Sequence, residues 1–224
     1  MVVSLIIPVY NEEKTIYSTL DKLSFYKDVE IVVVDGGSSD RTQELVSKFP
    51  VRAIDTVKSR AHQLNEGAKQ SRGSVLLFLH ADCFLEENTL EQIKDCLNSG
   101  YIGGCLSQRI DSDKLIYRLI EGSGNIRAKL FKIFYGDQAI FVRRDIFFDL
   151  GGFDRFELFD DVVFSQKLKK RGKVCVLNEK IYASARRWEK QGIAKTTFAN
   201  WLLSLGFLLN IPAKTLKKIY YDIR

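Results

Sequence analysis

Three short apolar runs in this chain each stop at an acidic residue, and this arrangement constrains the fold more than any other feature. Residues 5–9 lead into Tyr10-Asn11-Glu12, residues 30–34 end at Asp35, and residues 75–79 deliver His80-Ala81-Asp82. Short continuous runs rich in Val, Ile and Leu, set apart by helix-length stretches, read as buried parallel strands of an α/β sheet. Ligands of such sheets bind in the crevice beyond the carboxyl ends of the strands, and Glu12, Asp35 and Asp82 fall there. Three carboxylates converging on one crevice repel one another unless a cation or a hydroxyl- or donor-rich ligand satisfies them. The pattern implies a binding site.

The spacing predicts strands over 3–9, 30–34, 51–54 and 74–79. Helices alternate with them, the first reaching about residue 25, the second about 49, then 59–70 and 88–97. Asn11 is the expected cap of the first helix, with Glu12 and Glu13 in its first turn, and Asp40 the expected cap of the second. Gly36-Gly37 lets the backbone turn sharply beside Asp35. Residues 1–99 thus alternate as a nucleotide-binding half does. Beyond Gly100 a longer strand over 101–110 precedes a helix over 113–134, a strand over 138–143 and a short helix over 145–150. A Gly151-Gly152 turn follows, then Asp160-Asp161 opening a helix over 162–171, and a last short strand over 174–177. Residues 100–190 form the second half of the same single domain, and 191–224 a helical tail.

At 224 residues, 46% apolar and 28% charged, the chain is large enough for one well-buried core. Cys83, Cys96, Cys105 and Cys175 show no Cys-x-x-Cys spacing, so reduced, mostly buried thiols are expected. The N-terminus enters a strand without a basic, apolar and cleavable leader, which points to the cytoplasm. The net charge of +6 is uneven: residues 165–224 carry 14 Lys+Arg against 3 Asp+Glu, and residues 1–164 carry 20 against 25. Such a tail is either a solvated surface or an attraction to anionic headgroups or phosphorylated substrates. No nucleic-acid-binding motif accompanies the charge, so nucleic acid is not expected as a partner. Phe198, Trp201, Leu202, Leu205, Leu208, Leu209 and Pro212 fall at helical spacing, over too short a span to cross a bilayer. Lys214, Lys217 and Lys218 follow. The tail is expected to pack on the domain, to make a homodimer contact, or to rest peripherally on the inner face of the membrane.

The 8–12 segment Pro-Val-Tyr-Asn-Glu, the run from Val34 through Asp35-Gly36-Gly37-Ser38-Ser39-Asp40 to Thr42, and Phe159-Asp160-Asp161 resemble the family 2 glycosyltransferases. The resemblance runs in order from about residue 3 to about 190. It implies the GT-A fold, a Rossmann-like, mostly parallel central sheet flanked by helices. The stretch from Ser184 to Gly192 also resembles a small bacterial subgroup often encoded near radical-SAM proteins.

Moving a sugar from a nucleotide requires holding the nucleotide, neutralising the departing diphosphate and taking a proton from the acceptor. By resemblance, Asp35 accepts from the base, Glu12 or backbone near Pro8 takes the ribose, and Arg60 lies near base and phosphates, with Asn65 orienting its loop. For Glu12 and Asp35 the residues alone also allow helix capping and turn formation. The family's Asp-x-Asp is His80-Ala81-Asp82 here. Asp82 is the expected ligand of Mn²⁺ or Mg²⁺, and His80, where the first acid would be, is either a second ligand or structural. Arg186 and Arg187 resemble the family's phosphate-side basic motif and suit bidentate clamping. Asp160-Asp161 matches the acidic pair whose second member is the general base of an inverting displacement. Asp137 and Gln138 are expected to line the sugar or acceptor pocket. The implied activity is transfer from a nucleoside diphosphate sugar, UDP-linked, to an unidentified acceptor hydroxyl. The alternatives are transfer to a polyprenyl phosphate at the membrane surface, favoured by the basic apolar tail, and a non-catalytic nucleotide-binding scaffold, favoured by the altered His80 position.

Overall fold

The computed structural model describes residues 1–154, 159–209, 211 and 215–216. Eight strands form one sheet: β1 (Val3–Val9), β2 (Val29–Asp35), β3 (Arg52–Asp55), β4 (Val75–Phe78), β5 (Cys83–Leu85), β6 (Gly103–Asp111), β7 (Phe141–Arg143) and β8 (Val174–Ser184). Their order is β3-β2-β1-β4-β7-β6-β8-β5. β1 pairs parallel with β2 and β4, β2 with β3, and β6 with β8. β7 runs antiparallel between β4 and β6, and β5 antiparallel to β8. The helices are α1 (Ile16–Leu23), α2 (Thr42–Val46), α3 (Arg60–Gln70), α4 (Thr89–Asn98), α5 (Leu115–Phe131), α6 (Arg144–Asp149), α7 (Asp160–Arg171), α8 (Arg186–Gln191) and α9 (Ile193–Leu208).

The apolar runs form central strands because both sheet faces are covered. Val3, Leu5, Ile7 and Val9 of β1 enter one core cluster while Ile6 enters the other, as the two-residue period of a strand requires. α3 comes so close to the sheet that a Cβ on Gly67 would lie 2.5 Å from the Ile6 methyl, so glycine sets that packing distance. All β1–β4 carboxyl ends thereby open on the same edge.

Several local expectations are corrected. Asn11 does not cap α1: it takes a left-handed conformation (φ 54°), and the helix begins only at Ile16 after a turn closed on the Glu12 carbonyl. The Asp40 carboxylate accepts the Thr42 N–H at 3.0 Å from just before α2, a capping contact with Arg41 rather than Asp40 at the cap position. β5 was not foreseen, being three residues long and dependent on β8 for pairing. β8 extends to Ser184 rather than ending near 177, because it continues past an irregularity opposite Cys105/Ser107 and keeps pairing with β6. Cys96 and Cys175 are paired as a disulfide between α4 and β8, which corrects the expectation of four thiols; Cys83 and Cys105 are free and buried. The tail is helical as α9, one side of which packs through Leu203 on Ile133, Phe159 and Val162. Pro212, Lys214, Lys217 and Lys218 lie outside the described residues. Among the described residues no helix is long and apolar enough to cross a membrane.

Candidate active site

The turns after β1 and β2 are knitted together. The Asn11 N–H donates to Ser38 Oγ (2.9 Å), the Ser39 N–H to Asn11 Oδ1 (2.8 Å) and the Glu12 N–H to Thr42 Oγ1 (2.8 Å). Buried Gln63, on α3, donates to the carbonyls of Val9 and Val34, tying the two strand ends from behind. Pro8 is half-buried within β1, paired beside Val34. Asp35 is almost fully buried, its carboxylate accepting from the Ser38 N–H and hydroxyl and, at 2.6 Å, from Gln43 Nε2. Gln43 also reaches Asp55 at 3.1 Å. These groups line a cavity of about 250 Å³ together with Val9, Val46 and Phe49. Asp35 therefore builds the turn in this state, its carboxylate holding donors of Ser38 and Gln43.

Across the crevice, Arg186 at the start of α8 puts its guanidinium 3.1 Å from Glu12 Oε2 and 3.7 Å from Asp82 Oδ2. Thr15 Oγ1 also donates to Glu12, at 2.9 Å. Burial pushes the Asp82 carboxyl above its usual range, Arg186 pulls it back, and the Glu12 charge raises it further. A cation thus already stands between the two carboxylates, and it is a side chain. The side chain of Arg187 lies outside the described residues.

A second cluster lies deeper. Arg60 Nη1 is 2.5 Å from Asp160 Oδ1 and its Nη2 is 3.5 Å from Asp161 Oδ2. Asp161 also accepts the Gly136 N–H (2.6 Å) and the Val162 N–H (2.7 Å), the latter at the start of α7. Asp160 is buried, with Oδ2 lacking a hydrogen-bond partner. Burial raises its carboxyl to about 6, with Arg60 opposing and the Asp161 charge adding to the rise. His80 belongs to this cluster. Burial first, then the Arg60 charge, lower its imidazole to about 4, with Asp161 opposing, so it is neutral at pH 7. A Cβ on Gly136 would collide with Arg60 Nη2 and stand 3.0 Å from His80 Nε2, so the approach requires glycine.

Gly136–Gln138 is a single 3₁₀ turn. Gln138 is wholly buried; its oxygen accepts from the Tyr135 N–H and from Arg127 Nη2. This corrects its expected place as a pocket-lining residue: its side chain shapes the turn. Asp137 accepts from Gln108 Nε2 at 2.7 Å. Asn65 bonds both ways with the Phe153 backbone, orienting the glycine turn before α7 rather than the loop that holds Arg60. The sequence reading missed Gln63, Gln43, Gln108 and Arg127. Only Gln108 left a signal, a buried polar residue within a strand, which needs a partner.

The donor set allows one mode of holding a dication. Among the described residues no group of three or more His, Cys, Asp or Glu side chains is placed to hold a metal. The charges acting on His80 are Arg60 and Asp161, and those acting on Asp82 are Arg186 and Glu12. Asp82, a quarter exposed, offers one carboxylate to the crevice. That suits Mg²⁺ or Mn²⁺, which take few protein ligands when phosphate oxygens and water complete their shells. His80 Nε2 lies on the Arg60 side of the site, beside Gly136.

An open, mostly parallel sheet with acidic strand ends facing a crevice, and an acid pair opening a helix beyond it, defines the GT-A class of fold. The family model described as "Glycosyl transferase family 2" matches residues 4–154, and the chain belongs to that family. A PGL/p-HBAD biosynthesis glycosyltransferase of Mycobacterium bovis is 32% identical over 181 residues, 72% of this chain and 67% of that protein. A dolichol-phosphate mannosyltransferase of Pyrococcus furiosus is 34% identical over 109 residues, 45% of this chain but only 31% of the relative's length. Among solved structures, the mannosyltransferase PcManGT from Pyrobaculum calidifontis, in complex with GDP-Man and Mn²⁺, superposes with a TM-score of 0.68. It is 21% identical, and the match covers 90% of this chain and 61% of that one. S. aureus TarS 1-349 in complex with UDP gives 0.66 at 20% identity, covering 89% and 66%.

Proposed function

We propose that this chain transfers a sugar from a nucleoside diphosphate sugar, UDP-linked, to an acceptor hydroxyl with inversion at the anomeric carbon. The observation that carries this reading is the Arg60 bridge. A helix of the nucleotide-binding half grips both acids that open α7, 100 and 101 residues away in sequence. In-line displacement needs a base on the side of the anomeric carbon opposite the leaving diphosphate. Asp161 is that base. Its carboxylate is fixed by the Gly136 and Val162 N–H groups and Arg60. Held there, it accepts the acceptor's proton as the hydroxyl oxygen bonds to the anomeric carbon and the bond to the diphosphate breaks. Asp160 holds Arg60 in place.

On the donor side, the Pro8–Glu12 segment and Asp35 form the nucleotide platform, and Gln43 yields its hold on Asp35 when a base enters. Arg186 swings from Glu12 and Asp82 to the diphosphate oxygens. Asp82 would hold a bound Mn²⁺ or Mg²⁺, which supplies countercharge to the leaving diphosphate. Asp137, anchored by Gln108, faces the sugar or the acceptor.

Transfer to a polyprenyl phosphate is the second reading, supported by the likeness to the archaeal dolichol-phosphate enzyme over 45% of the chain. There the nucleophile is already anionic and needs no base. Calorimetric titration with UDP, GDP and dTDP, each with Mn²⁺ or chelator, on wild type and Asp82→Ala, tests the donor site. Tight binding of UDP that needs both the cation and Asp82 is the expected result. Binding of no nucleotide under any condition would return the chain to the scaffold reading.

A further inference from the structure

α9 presents a contradiction of its own. A helix apolar all round belongs in a core or a membrane, and Lys195 is the only charged residue in Ile193–Leu208. Yet among its described side chains the buried ones are Thr196, Thr197, Ala199 and Leu203, and a whole face is left open. Phe198, Trp201, Leu205 and Leu209 recur at helical spacing on the other side, each more than half exposed. Alongside it, α5 repeats the pattern with Leu115, Leu119, Ile126 and Leu130, all exposed. The two rows are joined: Trp201 Nε1 donates to Ser123 Oγ of α5 at 3.3 Å. Two large-residue rows side by side make an apolar face of a size that isolated surface leucines do not.

We propose that this face rests on an anionic lipid bilayer, with α5 and α9 lying in its interface. Charge selects that occupant. Neither helix exposes a carboxylate: Glu121, the sole acid in the two, is buried against Arg118 and Arg109. Lys129 of α5 and Lys195 of α9 are exposed, and α9 lies within residues 165–224, which carry 14 basic residues against 3 acidic ones. Apolar burial with lysines at the rim is the pattern of an interfacial helix, and neither helix is long and apolar enough to span.

The platform adjoins the catalytic cluster. The inner side of α9 packs on Phe159 and Val162, which flank Asp160-Asp161, and Ser204 shares a 2.6 Å hydrogen bond with the Tyr135 hydroxyl, one residue before Gly136. The face therefore sets the acceptor side of the crevice at the lipid surface, an acceptor with a lipid-anchored end being the substrate class that fits. This last consequence rests on the transferase reading; the docking does not.

Flotation of the full chain with phosphatidylcholine vesicles, and with vesicles containing roughly one third phosphatidylglycerol, tests the proposal. The wild type is expected to float with the anionic vesicles, less so in high salt and least with phosphatidylcholine alone. Leu119→Glu and Leu205→Glu, at exposed positions, are each expected to weaken flotation about tenfold while leaving the thermal melt unchanged. Lys195→Glu is expected to reduce the preference for anionic vesicles. Failure of the wild type to float with either vesicle, or flotation undiminished in the Leu119→Glu/Leu205→Glu double variant, overturns the proposal. So does a sedimentation profile in which those changes dissolve a dimer that binds no vesicle. UDP titration of the same samples separates this failure from failure of the donor site.

Discussion

Asp160→Asn removes one end of the Arg60 ion pair, and the variant should nevertheless be more stable near neutral pH. Asp160's side chain is 6% exposed, and burial outweighs the Arg60 attraction, raising its carboxyl from 3.8 to about 6. Between those values the folded state holds a proton that the unfolded chain has released. Stability therefore falls as pH rises through the window: the contribution is whole below about pH 4 and gone above about pH 6. A gap of about two pKa units corresponds to ~3 kcal/mol. Asparagine imitates the protonated carboxyl and does not titrate. Its Nδ2 takes the place of Oδ2, an atom that has no hydrogen-bond partner in the wild type. Urea unfolding should find the variant equal to wild type near pH 3.5 and more stable near pH 7.5 by up to ~3 kcal/mol. The informative quantity is the difference between the two proteins, because His80 runs the other way. Its folded value is lowered to about 4, so its contribution is present above about pH 6.5 and is lost as pH falls toward 4. The wild-type profile is thus expected to be flat where the two windows overlap. A variant less stable than wild type near pH 7.5 would mean that the Arg60 attraction exceeds the burial cost, and the reasoning would fail.

Arg60→Met leaves Asp160 and Asp161 side by side without their cation and should cost about 3–5 kcal/mol in urea unfolding, partly recovered by adding Asp160→Asn. Gly136→Ala drives a methyl into Arg60 Nη2 and should cost about 1–3 kcal/mol, with loss of turnover even where the fold survives. Arg186→Ala frees Glu12 and Asp82 and should tighten Mn²⁺ binding in the absence of nucleotide, read from the free Mn²⁺ signal in electron paramagnetic resonance, while weakening UDP. Asp161→Asn should lower kcat by about 10²–10⁴ with a hydroxyl acceptor and far less with a phosphate acceptor, which a steady-state assay of each resolves.

The strands that carry the plainest signal in the sequence are the central ones, although the edge strand β3 was legible too. β1, β2 and β4 are buried on both sides, so their apolar runs carry an unmistakable signal. β5 is three residues long and owes its existence to β8, a partner far away in sequence, and no local pattern can announce it. The first-helix error has a cause distant in sequence. Asn11 is a good cap by type, but its amide is engaged by Ser39, an arrangement visible only once the β1 and β2 turns are side by side. The candidate site was legible as an inventory and not as a partition. Sequence order puts His80 beside Asp82, while the fold gives His80 to Arg60 and Asp161, and Asp82 to Arg186. Gln43 and Gln63 were invisible for the same reason: an amide mid-helix means nothing until it is seen which strand end lies within its reach.

The order of the strands also sets a timetable for synthesis. β1 to β4 can assemble as the chain emerges, since their partners lie near in sequence. β7 must then be inserted beside β4, and β6, made earlier, waits for β8 to cover its other edge. Non-local pairings of this kind slow folding and leave strand edges open to other chains. Arg186 follows directly on the last residues of β8, so the clamp over Glu12 and Asp82 is among the last contacts to close. A chain halted before β8 would hold most of a nucleotide platform without Arg186 beside its Glu12 and Asp82, and its β6 edge would stand unpaired and open to other chains.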